Sequence, residues 1–424
     1  MTASNEQNLV DHLFRHESGK MIAVVVRMLG VDHLQVAEDL VQEAFYQALH
    51  TWPYTGIPLE PAAWLTQVTK RRAIDWMRKN QVRLVHHSHM AREENLLESN
   101  PLPTLPDELQ DSQLQLVFAI CHPALSPEDQ IALTLKIASG FGTHEIASAL
   151  MTREETIRKR IYRARQTLQT QRVDLAIPGG SVLTTRLQSV LKVFYLLFNE
   201  GYLASHPEWV VRQELCAEAM RLTHLVWQHP RTRRGEVAAL MALMSYHTSR
   251  LASRTTEDHE LILLADQDRR LWNQSLIRQG HYFLQQALTF KPISIYHLEA
   301  AISGQHCIAP TLAATDWPRI LHLYEVLEEV QPSPVLRLNK VVVLLQMQQL
   351  ETAADLLKDL KQDRAMMRNH FYYAVKATYH QACGETVAAR EALEQALLFT
   401  SHPASSRLYI DKLNRLSDGK GHHE

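Results

Sequence analysis

This sequence has few cysteines and glycines, and its net charge is small. The 424 residues include 4 cysteines and 14 glycines, and the formal charge is −2. No C-x-x-C pair occurs, which argues against a cysteine zinc site or a disulfide framework and favours a reducing compartment. Because the charges nearly cancel, the chain as a whole has no general attraction for polyanions. The cysteines are Cys121, Cys216, Cys307 and Cys383.

Long apolar segments are also missing. No apolar run approaches the roughly 18 residues that a bilayer-spanning helix needs. Glu6 and Asp11 interrupt the N-terminal segment in which a signal peptide would carry its apolar core. We therefore expect a cytoplasmic protein with no membrane partner, and the sequence indicates no cofactor.

The pattern found along most of the chain is helical. Apolar residues recur at three- and four-residue spacing and β-branched alternation is rare, which predicts an all-α fold. Residues 83–106 lack this period and are rich in proline, so we interpret them as a linker. A second break follows at 177–180, Ile-Pro-Gly-Gly. Three helical blocks are predicted: 9–50 together with 60–80, 107 to about 172, and 182 to about 416.

One stretch near the C-terminal end has the character of a repeat. Its small and apolar residues fall at offsets 0, 5, 9 and 12, where the two helices of a tetratricopeptide unit pack closely. A weaker copy surrounds Ala353 and Leu357. We predict a tetratricopeptide-like region near 335–403, with a generic α-helical domain as the alternative. The residues at those offsets are Gly384, Ala389, Leu393 and Ala396, and Pro403 follows.

Residues 126–169 predict two short helices and a longer one. Ser126 and Pro127, followed by two acids, are typical of a helix start. Gly140 is expected to end that helix, and Thr143 to cap the next.

Thr152 and Glu155 have the spacing of a capping box, so the third helix is expected directly after a tight turn. Four apolar residues then form one buried stripe, which leaves a basic outer face suited to a major groove. The alternative is a solvated basic helix in an ordinary bundle. The stripe is Ile157, Ile161, Ala164 and Leu168.

Two stretches are basic although the whole chain is neutral. Residues 69–83 hold six basic side chains against one acidic, and residues 143–172 hold seven against three. Trp64 and Trp76 lie near the first stretch, and cations interleaved with aromatic rings suit single-stranded nucleic acid. The alternative places both tryptophans in the core, which we favour for Trp64. Local phosphate contacts are therefore expected.

Three segments in order resemble the extracytoplasmic-function sigma factors of bacterial RNA polymerase. Residues 37–49, AEDLVQEAFYQAL, resemble the region 2 helix that docks on the polymerase clamp. Residues 64–79, WLTQVTKRRAIDWMRK, resemble the following helix, which opens the promoter and reads its −10 element. Residues 125–168 resemble region 4, the helix-turn-helix that reads the −35 element.

The resemblance implies partners and site residues. The partners would be core RNA polymerase and promoter DNA, and the chain would be a transcription initiation factor rather than an enzyme. Arg71 departs from a common asparagine of the family, and Lys159 from a usual serine. Polymerase contacts are implied at Asp39, Gln42 and Glu43. Contacts to the −10 element are implied at Lys70, Arg71, Arg72, Asp75 and Arg78. Contacts to the −35 element are implied at Thr156, Arg158, Lys159, Arg160 and Arg163.

The C-terminal half resembles a subgroup of these sigma factors that carries a long helical extension. Segments such as YLLFNEGY at 195–202 and ADQDRRLWNQSLI at 265–277 carry the likeness. In that subgroup the extension is thought to regulate the sigma factor in cis, so we expect an intramolecular contact or an unknown regulator there. The expected domains are region 2 at 1–85, a linker at 86–106, region 4 at 107–175 and the extension at 182–424.

Other functions compete with this prediction. Glu214 and Glu218 share a helix face, as acid–base or metal chemistry would need, but ion pairs with nearby arginines are the commoner role. A conventional repressor would use the helix-turn-helix without polymerase, and it would leave residues 37–49 unexplained. The linker histidines His86, His87 and His89 lack a fourth metal ligand, so no metal site is expected.

Overall fold

The computed structural model describes residues 3–80, 106–150, 152–202, 212–254, 256, 262–400 and 403–418. Within these ranges the regular structure is α-helix with short 3-10 turns, and no strand occurs. The predicted all-α fold class is confirmed. The linker, with His86, His87 and His89, lies outside the described residues apart from Pro106.

The chain forms two compact units. The first takes in residues 1–197 and 228–232, and the second residues 198–227 and 233–424. The first unit contains α1 (Ala3–Leu29), α2 (Leu34–Thr55), α3 (Pro61–Asn80), α4 (Pro106–Ile120), α5 (Pro127–Ile137), α6 (Thr143–Ala149), α7 (Glu154–Thr170) and most of α8 (Gly180–Tyr202).

Helix α1 lies at the centre of the first unit and packs against α2, α3 and α4. The apolar face of α1 is buried from Met21 to Leu29. The predicted helical block at 9–50 is helical on both sides of one break. Gly30 adopts a left-handed φ of 91° and a 3-10 turn, Val31–His33, follows before α2 begins.

The second unit consists of helices, most of which pack on the next helix along the chain. Helix α10 is buried on all sides and packs against α11 and α12. The helices are α9 (Gln213–Gln228), α10 (Gly235–Ser249), α11 (Gln274–Leu288), α12 (Ile295–Ile308), α13 (Trp317–Val330), α14 (Pro334–Gln346), α15 (Leu350–Leu360), α16 (His370–Ala382), α17 (Thr386–Phe399) and α18 (Pro403–Asp418).

The region with repeat character consists of helix pairs. Helix α14 packs on α15, and α16 packs on α17. Four of the predicted close-packing residues, Ala353, Ala389, Leu393 and Ala396, are almost fully buried. Gly384 takes a φ of 76° in the turn between α16 and α17, which favours glycine.

Candidate functional site

Helices α5, α6 and α7 form a helix-turn-helix. The hydroxyl of Ser126 accepts a hydrogen bond from the backbone N–H of Asp129 at 3.2 Å, so the predicted cap of α5 is confirmed. Gly140, with a φ of 70°, follows the end of α5. The whole predicted stripe of α7 is buried against the first two helices: Ile157, Ile161, Ala164 and Leu168.

Two predicted caps were each wrong by one residue. Gly142 precedes α6, and its backbone N–H donates to the Glu145 carboxylate at 2.7 Å, so Thr143 is the first helical residue. Helix α7 follows Arg153 without a side-chain cap. The backbone N–H of Thr152 closes the preceding turn on the Ala147 carbonyl at 3.0 Å, so Thr152 belongs to the turn.

The outer face of α7 carries most of the residues predicted to contact the −35 element. Arg158 and Lys159 are exposed, and each pairs at 2.7 Å with the acid one turn earlier, Glu154 or Glu155. Exposed pairs of this kind contribute well under about 1 kcal/mol each, so a phosphate or a base can replace the acid. Thr156 and Arg160 are half-buried on the same helix.

Arg163 is placed differently from its neighbours. Its guanidinium donates to Asp129 at 2.9 Å, and Asp129 is buried at the start of α5. The pair joins the first and third helices of the helix-turn-helix. Arg163 therefore links two helices of the motif through Asp129, while most of its side chain remains exposed.

The predicted polymerase contacts lie on the exposed face of α2. Asp39, Gln42 and Glu43 are all exposed, one helical turn or less apart. Asp39 accepts a hydrogen bond from the side chain of Gln35 at 3.0 Å. Glu43 accepts from Arg72 at 2.5 Å, which links this face to α3.

Helix α3 holds the residues predicted to contact the −10 element. Arg72 also donates to Gln47 at 2.9 Å, so its guanidinium is positioned by α2. Lys70 is half-buried, and Arg71, Asp75 and Arg78 are exposed. The side chains therefore form a largely basic strip along one helix.

Both tryptophans near this strip are half-buried. The Trp64 ring meets Trp52 edge-on at 5.5 Å, and the Trp76 ring meets His33 at 5.0 Å. Trp64 therefore packs on the core, as favoured, but part of each ring remains accessible to solvent.

A contact between α7 and α2 was not predicted from the sequence. The guanidinium of Arg165 donates to the carboxylate of Glu38 and to the side-chain oxygen of Gln35. Glu38 is only 4% exposed. Burial raises the pKa of its carboxyl, and the nearby charges of Arg165 and Lys136 oppose that rise. No local pattern joins residues so distant in sequence.

A second unpredicted contact joins α1 to the end of α5. A Cβ atom on Gly19 would lie 2.6 Å from the backbone oxygen of Ala138, closer than any side chain tolerates. The Arg27 side chain of α1 also reaches Ser112 of α4 at 3.4 Å. An isolated glycine inside a helical pattern is a signal for such close packing, and Gly19 has that pattern.

Part of the predicted extension belongs to the first unit. Arg186 of α8 donates to the backbone carbonyl of Phe118, at the end of α4. Arg231 donates to the carbonyls of Ile177 and Pro178 at 3.1 and 3.0 Å. His229 lies 3.5 Å from Asp111 of α4.

The second unit buries a cluster of arginines. Arg250 donates to the hydroxyl of Tyr202 and contacts His247 Nδ1, both at 2.9 Å. The guanidinium of Arg254 lies 3.7 Å from the centre of the Tyr202 ring. Among the described residues, no carboxylate lies within ion-pair distance of Arg250 or Arg254. Aromatic faces and neutral hydrogen-bond acceptors stabilise the two guanidinium cations instead.

Two histidines beside this cluster are half-buried. Desolvation, with the nearby charges of Arg250 and Arg269, lowers the pKa of His306 to about 3. Burial also lowers the pKa of His247 well below its ordinary value. Both rings are therefore neutral at physiological pH.

In the part of the chain that the structure describes, the side chains that acid–base or metal chemistry would need are not brought together. Glu218 forms a two-point ion pair with Arg221 at 2.8 and 2.7 Å, the role that its neighbours suggested. Burial raises the pKa of the Cys121 and Cys216 thiols to about 12. Within the described ranges no cluster of three or more His, Cys, Asp or Glu side chains has metal-binding geometry, and no helix is long and apolar enough to cross a bilayer.

Comparison with known families covers three parts of the chain. Residues 13–83 match the family model of sigma-70 region 2, and residues 120–168 match sigma-70, region 4. Residues 186–288 match a family of unknown function, DUF6596.

Individual relatives extend this likeness. An uncharacterized protein of Rhizobium meliloti is 33% identical over 386 residues, 89% of each chain. The sigma factor SigL of Mycobacterium tuberculosis, of the extracytoplasmic-function type, is 27% identical over 176 residues, which are 41% of this chain and 95% of SigL. A probable RNA polymerase sigma factor, RfaY of Xanthomonas campestris, is 27% identical over 35% of this chain and 39% of its own length.

Proposed function

Because this chain belongs to the extracytoplasmic-function sigma factors, with a helical extension at its C-terminal end, we propose that it binds core RNA polymerase through α2 and selects promoters through α3 and α7. Its role in transcription initiation follows from the family. The residue-level assignments and the regulation by the extension are our proposals. The observation that supports them is that α2 exposes acidic side chains, whereas α3 and α7 expose basic side chains.

Docking on polymerase is proposed for the exposed acids of α2. Asp39 and Glu43 lie one turn apart, so both carboxylates can meet one basic surface. Replacing both with lysine should abolish binding to core polymerase, because two attractive charges become repulsive. The measurement is a pull-down of purified core enzyme by the full-length protein.

A charge-matched control is available on the same region. Asp32 and Glu60 are also exposed, and they lie outside the proposed docking face. The double variant Asp32→Lys, Glu60→Lys has the same net charge as Asp39→Lys, Glu43→Lys and should retain core binding. Equal retention of core enzyme by both double variants would exclude this docking face.

Promoter contacts are proposed on two helices. The basic strip of α3, with partly accessible Trp64 and Trp76, suits melted DNA at the −10 element. The exposed Arg158 and Lys159 of α7 suit duplex DNA at the −35 element, because their ion pairs with Glu154 and Glu155 are weak and a phosphate can replace the carboxylate. Arg163 would act mainly by holding α7 at its angle to α5.

Regulation in cis is proposed for the extension. The hydrogen bonds from Arg186 and Arg231, and the approach of His229 to Asp111, support it because they tie residues of the extension to region 4. In the full-length protein, Arg186→Met combined with Arg231→Met should change promoter output several-fold in run-off transcription. The matched control is Arg234→Met, whose side chain is exposed nearby. Unchanged output from the double variant would count against regulation through these contacts.

A further inference from the structure

We infer that the second unit contains a binding site for a phosphate group, either free or carried by a small molecule. The side chains that form it are Arg250, Arg254 and Arg269, which we call the arginine cluster. This site does not depend on the proposed contacts with polymerase and promoter DNA, because those belong to residues of the first unit.

The local course of the chain brings the three arginines together at one end of α10. Arg250 directly follows α10, and a 3-10 turn, Leu251–Ser253, leads from it to Arg254. Arg269 begins a second 3-10 turn, Arg269–Leu271, which packs against the first. Two separate chain segments therefore supply cations to one region of the unit.

Two aromatic rings show that the guanidinium groups are neighbours. Arg250 donates to the Tyr202 hydroxyl at 2.9 Å, and the Arg254 guanidinium lies 3.7 Å from the centre of the same ring. The guanidinium carbons of Arg250 and Arg269 lie 5.7 and 4.8 Å from the centre of the Trp272 ring. Arg250 therefore neighbours both of the other arginines, and three positive charges are concentrated in a small volume.

No acidic side chain of the described ranges neutralises this charge. Arg250 and Arg254 are 8% and 6% exposed, and the ion pairs between described residues include no member of the arginine cluster. Removal of a cation from water without an anionic partner is unfavourable, because neutral acceptors and ring faces replace only part of the lost hydration. A bound anion would supply the missing negative charge.

The cluster also contains buried hydrogen-bond donors without acceptors. Among the described residues, no acceptor reaches Nε of Arg250, Nε of Arg254 or Nη2 of Arg269. The indole N–H of Trp272, beside two of these arginines, is unpaired as well. Buried polar atoms without partners are uncommon in native proteins, and a bound ion is one of the ordinary reasons for them. These donors therefore indicate an anion with several acceptor oxygens.

The chemistry of arginine favours a phosphate group as this anion. A guanidinium binds phosphate oxygens through two parallel N–H groups, and one phosphate has enough oxygens for more than one arginine. A phosphate monoester carries a charge of about −1.5 to −2 at pH 7, which matches three cations better than the single charge of a carboxylate does. Its tetrahedral oxygens can also accept from donors that approach from two chain segments.

The burial of the cluster limits the ligand to a small molecule. The unpaired nitrogen atoms are covered by their neighbours, whereas the Arg269 side chain as a whole is half-buried. Its Nη1 atom donates to the backbone carbonyls of His306 and Ala309 at 2.6 and 2.5 Å. Arg269 therefore forms the entrance, where phosphate oxygens exchange with these neutral acceptors. The backbone of nucleic acid is too bulky to reach the arginines behind it.

The binding test uses the full-length protein after dialysis into phosphate-free buffer. Isothermal titration calorimetry with inorganic phosphate should show saturable binding of one phosphate per chain. At a concentration ten times the dissociation constant, phosphate should slow hydrogen exchange of the α10 amides about tenfold, because the unfolded unit does not bind it. Sodium chloride at the same ionic strength should have no such effect. Absence of saturable binding, or of phosphate-dependent protection of α10, would overturn the site.

Substitutions test whether the arginine cluster is the place of binding. Arg254→Gln and Arg269→Gln should each raise the dissociation constant for phosphate by about tenfold or more, because each removes charged hydrogen bonds. The matched control is Arg270→Gln. Arg270 is the next residue in the chain, but it is exposed and paired with Asp268, so the affinity should not change. Unchanged affinity in both cluster variants would overturn the assignment.

A separate measurement shows whether each variant is folded. Protection of the α10 amides in the absence of phosphate should be retained if the second unit is intact. If Arg254→Gln loses this protection, Arg269→Lys takes its place, since it keeps the charge at a half-buried position. A lysine ammonium cannot bind two oxygens in parallel, so phosphate should still bind more weakly. Full affinity in folded Arg269→Lys and Arg269→Gln would count against the site.

Two further ligands test the source and the class of the anion. Tighter binding of glycerol 3-phosphate than of inorganic phosphate would indicate a phosphorylated small molecule, and the reverse order would indicate the free anion. Both orders support the site. Protection of α10 by malonate but not by phosphate would overturn the assignment to phosphate. Because these measurements include neither polymerase nor DNA, failure of the site and failure of the proposed function are distinguishable.

Discussion

Arg158 in the first unit has an environment opposite to that of Arg250 and Arg254 in the second unit. On α7, Arg158 is exposed, and its acid partner lies one turn away on the same helix. In the second unit, Arg250 and Arg254 are more than nine-tenths buried and contact aromatic rings and neutral acceptors. The same residue type is therefore available to an outside anion on α7 and fixed in the interior beside α10.

The comparison separates binding from stability. An exposed guanidinium with a weak partner can exchange that partner for a phosphate at little energetic cost. Loss of a buried guanidinium that contacts rings and makes hydrogen bonds leaves its polar neighbours without hydrogen-bond partners. We therefore expect substitutions on α7 to change promoter binding, and substitutions at Arg250 or Arg254 to change the stability of the second unit.

The largest expected effect is on the buried side of the comparison. Arg250→Met removes hydrogen bonds to Tyr202 and His247 and the stack on Trp272. Since hydrogen bonds to charged groups contribute about 1.5–3 kcal/mol, and burial of the cation offsets part of that, we expect a loss of about 2–3 kcal/mol. Hydrogen exchange of the α10 amides in urea would measure it.

The control for this prediction is Arg270→Met. Arg270 is exposed and pairs only with Asp268 nearby, so its loss should leave α10 unchanged. Equal effects of the two substitutions would break the comparison.

A second effect should appear on acidification. In the folded second unit the pKa of His306 is lowered to about 3, whereas the unfolded chain takes up a proton near the ordinary value of 6.5. As pH falls below 6.5 the unfolded state binds the proton and the folded state does not, so stability falls. By pH 5 the loss from His306 should be about 2 kcal/mol.

This dependence can be tested by substitution. His306→Asn should flatten the decline in stability of the second unit between pH 7 and pH 5. Exposed His322 should have no such influence, so His322→Asn serves as the control. A decline that is equally steep in both variants would show that other groups cause it.

Whether an arginine is buried or exposed could not be predicted from the sequence, whereas the helices could. The buried stripe of α7 follows from the spacing of Ile157 to Leu168, because helical periodicity is a local property. The Arg165 contact with Glu38 joins residues 127 positions apart, and periodicity carries no information on such a pair. Likewise, the segment ADQDRRLWNQSLI indicates the family but not that Arg269 is half-buried while Arg270 is exposed.

Substitution of the basic residues on α7 should weaken promoter binding. Arg158→Ala and Arg160→Ala should each weaken promoter binding by about 1–2 kcal/mol if the side chain contacts a base edge. A phosphate contact would instead weaken all sequences alike and reduce the salt dependence. Binding to the promoter and to a −35-substituted promoter, each with core polymerase across a salt series, distinguishes these contacts. If neither substitution alters binding, α7 does not read the −35 element.

The smallest effect completes the contrast. Arg158→Ala breaks only an exposed pair with Glu154, so the unfolding free energy of the first unit should change by less than about 0.5 kcal/mol. Urea denaturation followed by hydrogen exchange of the α7 amides provides the measurement. A change as large as that of Arg250→Met would mean that α7 depends on Arg158 for its fold.

The central claim is that this chain selects promoters only as part of an RNA polymerase complex. Fluorescence anisotropy of a labelled promoter duplex, with the full-length protein alone and with core polymerase added, tests it most directly. We predict tight, sequence-specific binding only when core polymerase is present, because the proposed function assigns promoter selection to the complex that forms through α2. Equally tight and specific binding by the protein alone would contradict the claim and indicate a conventional DNA-binding regulator.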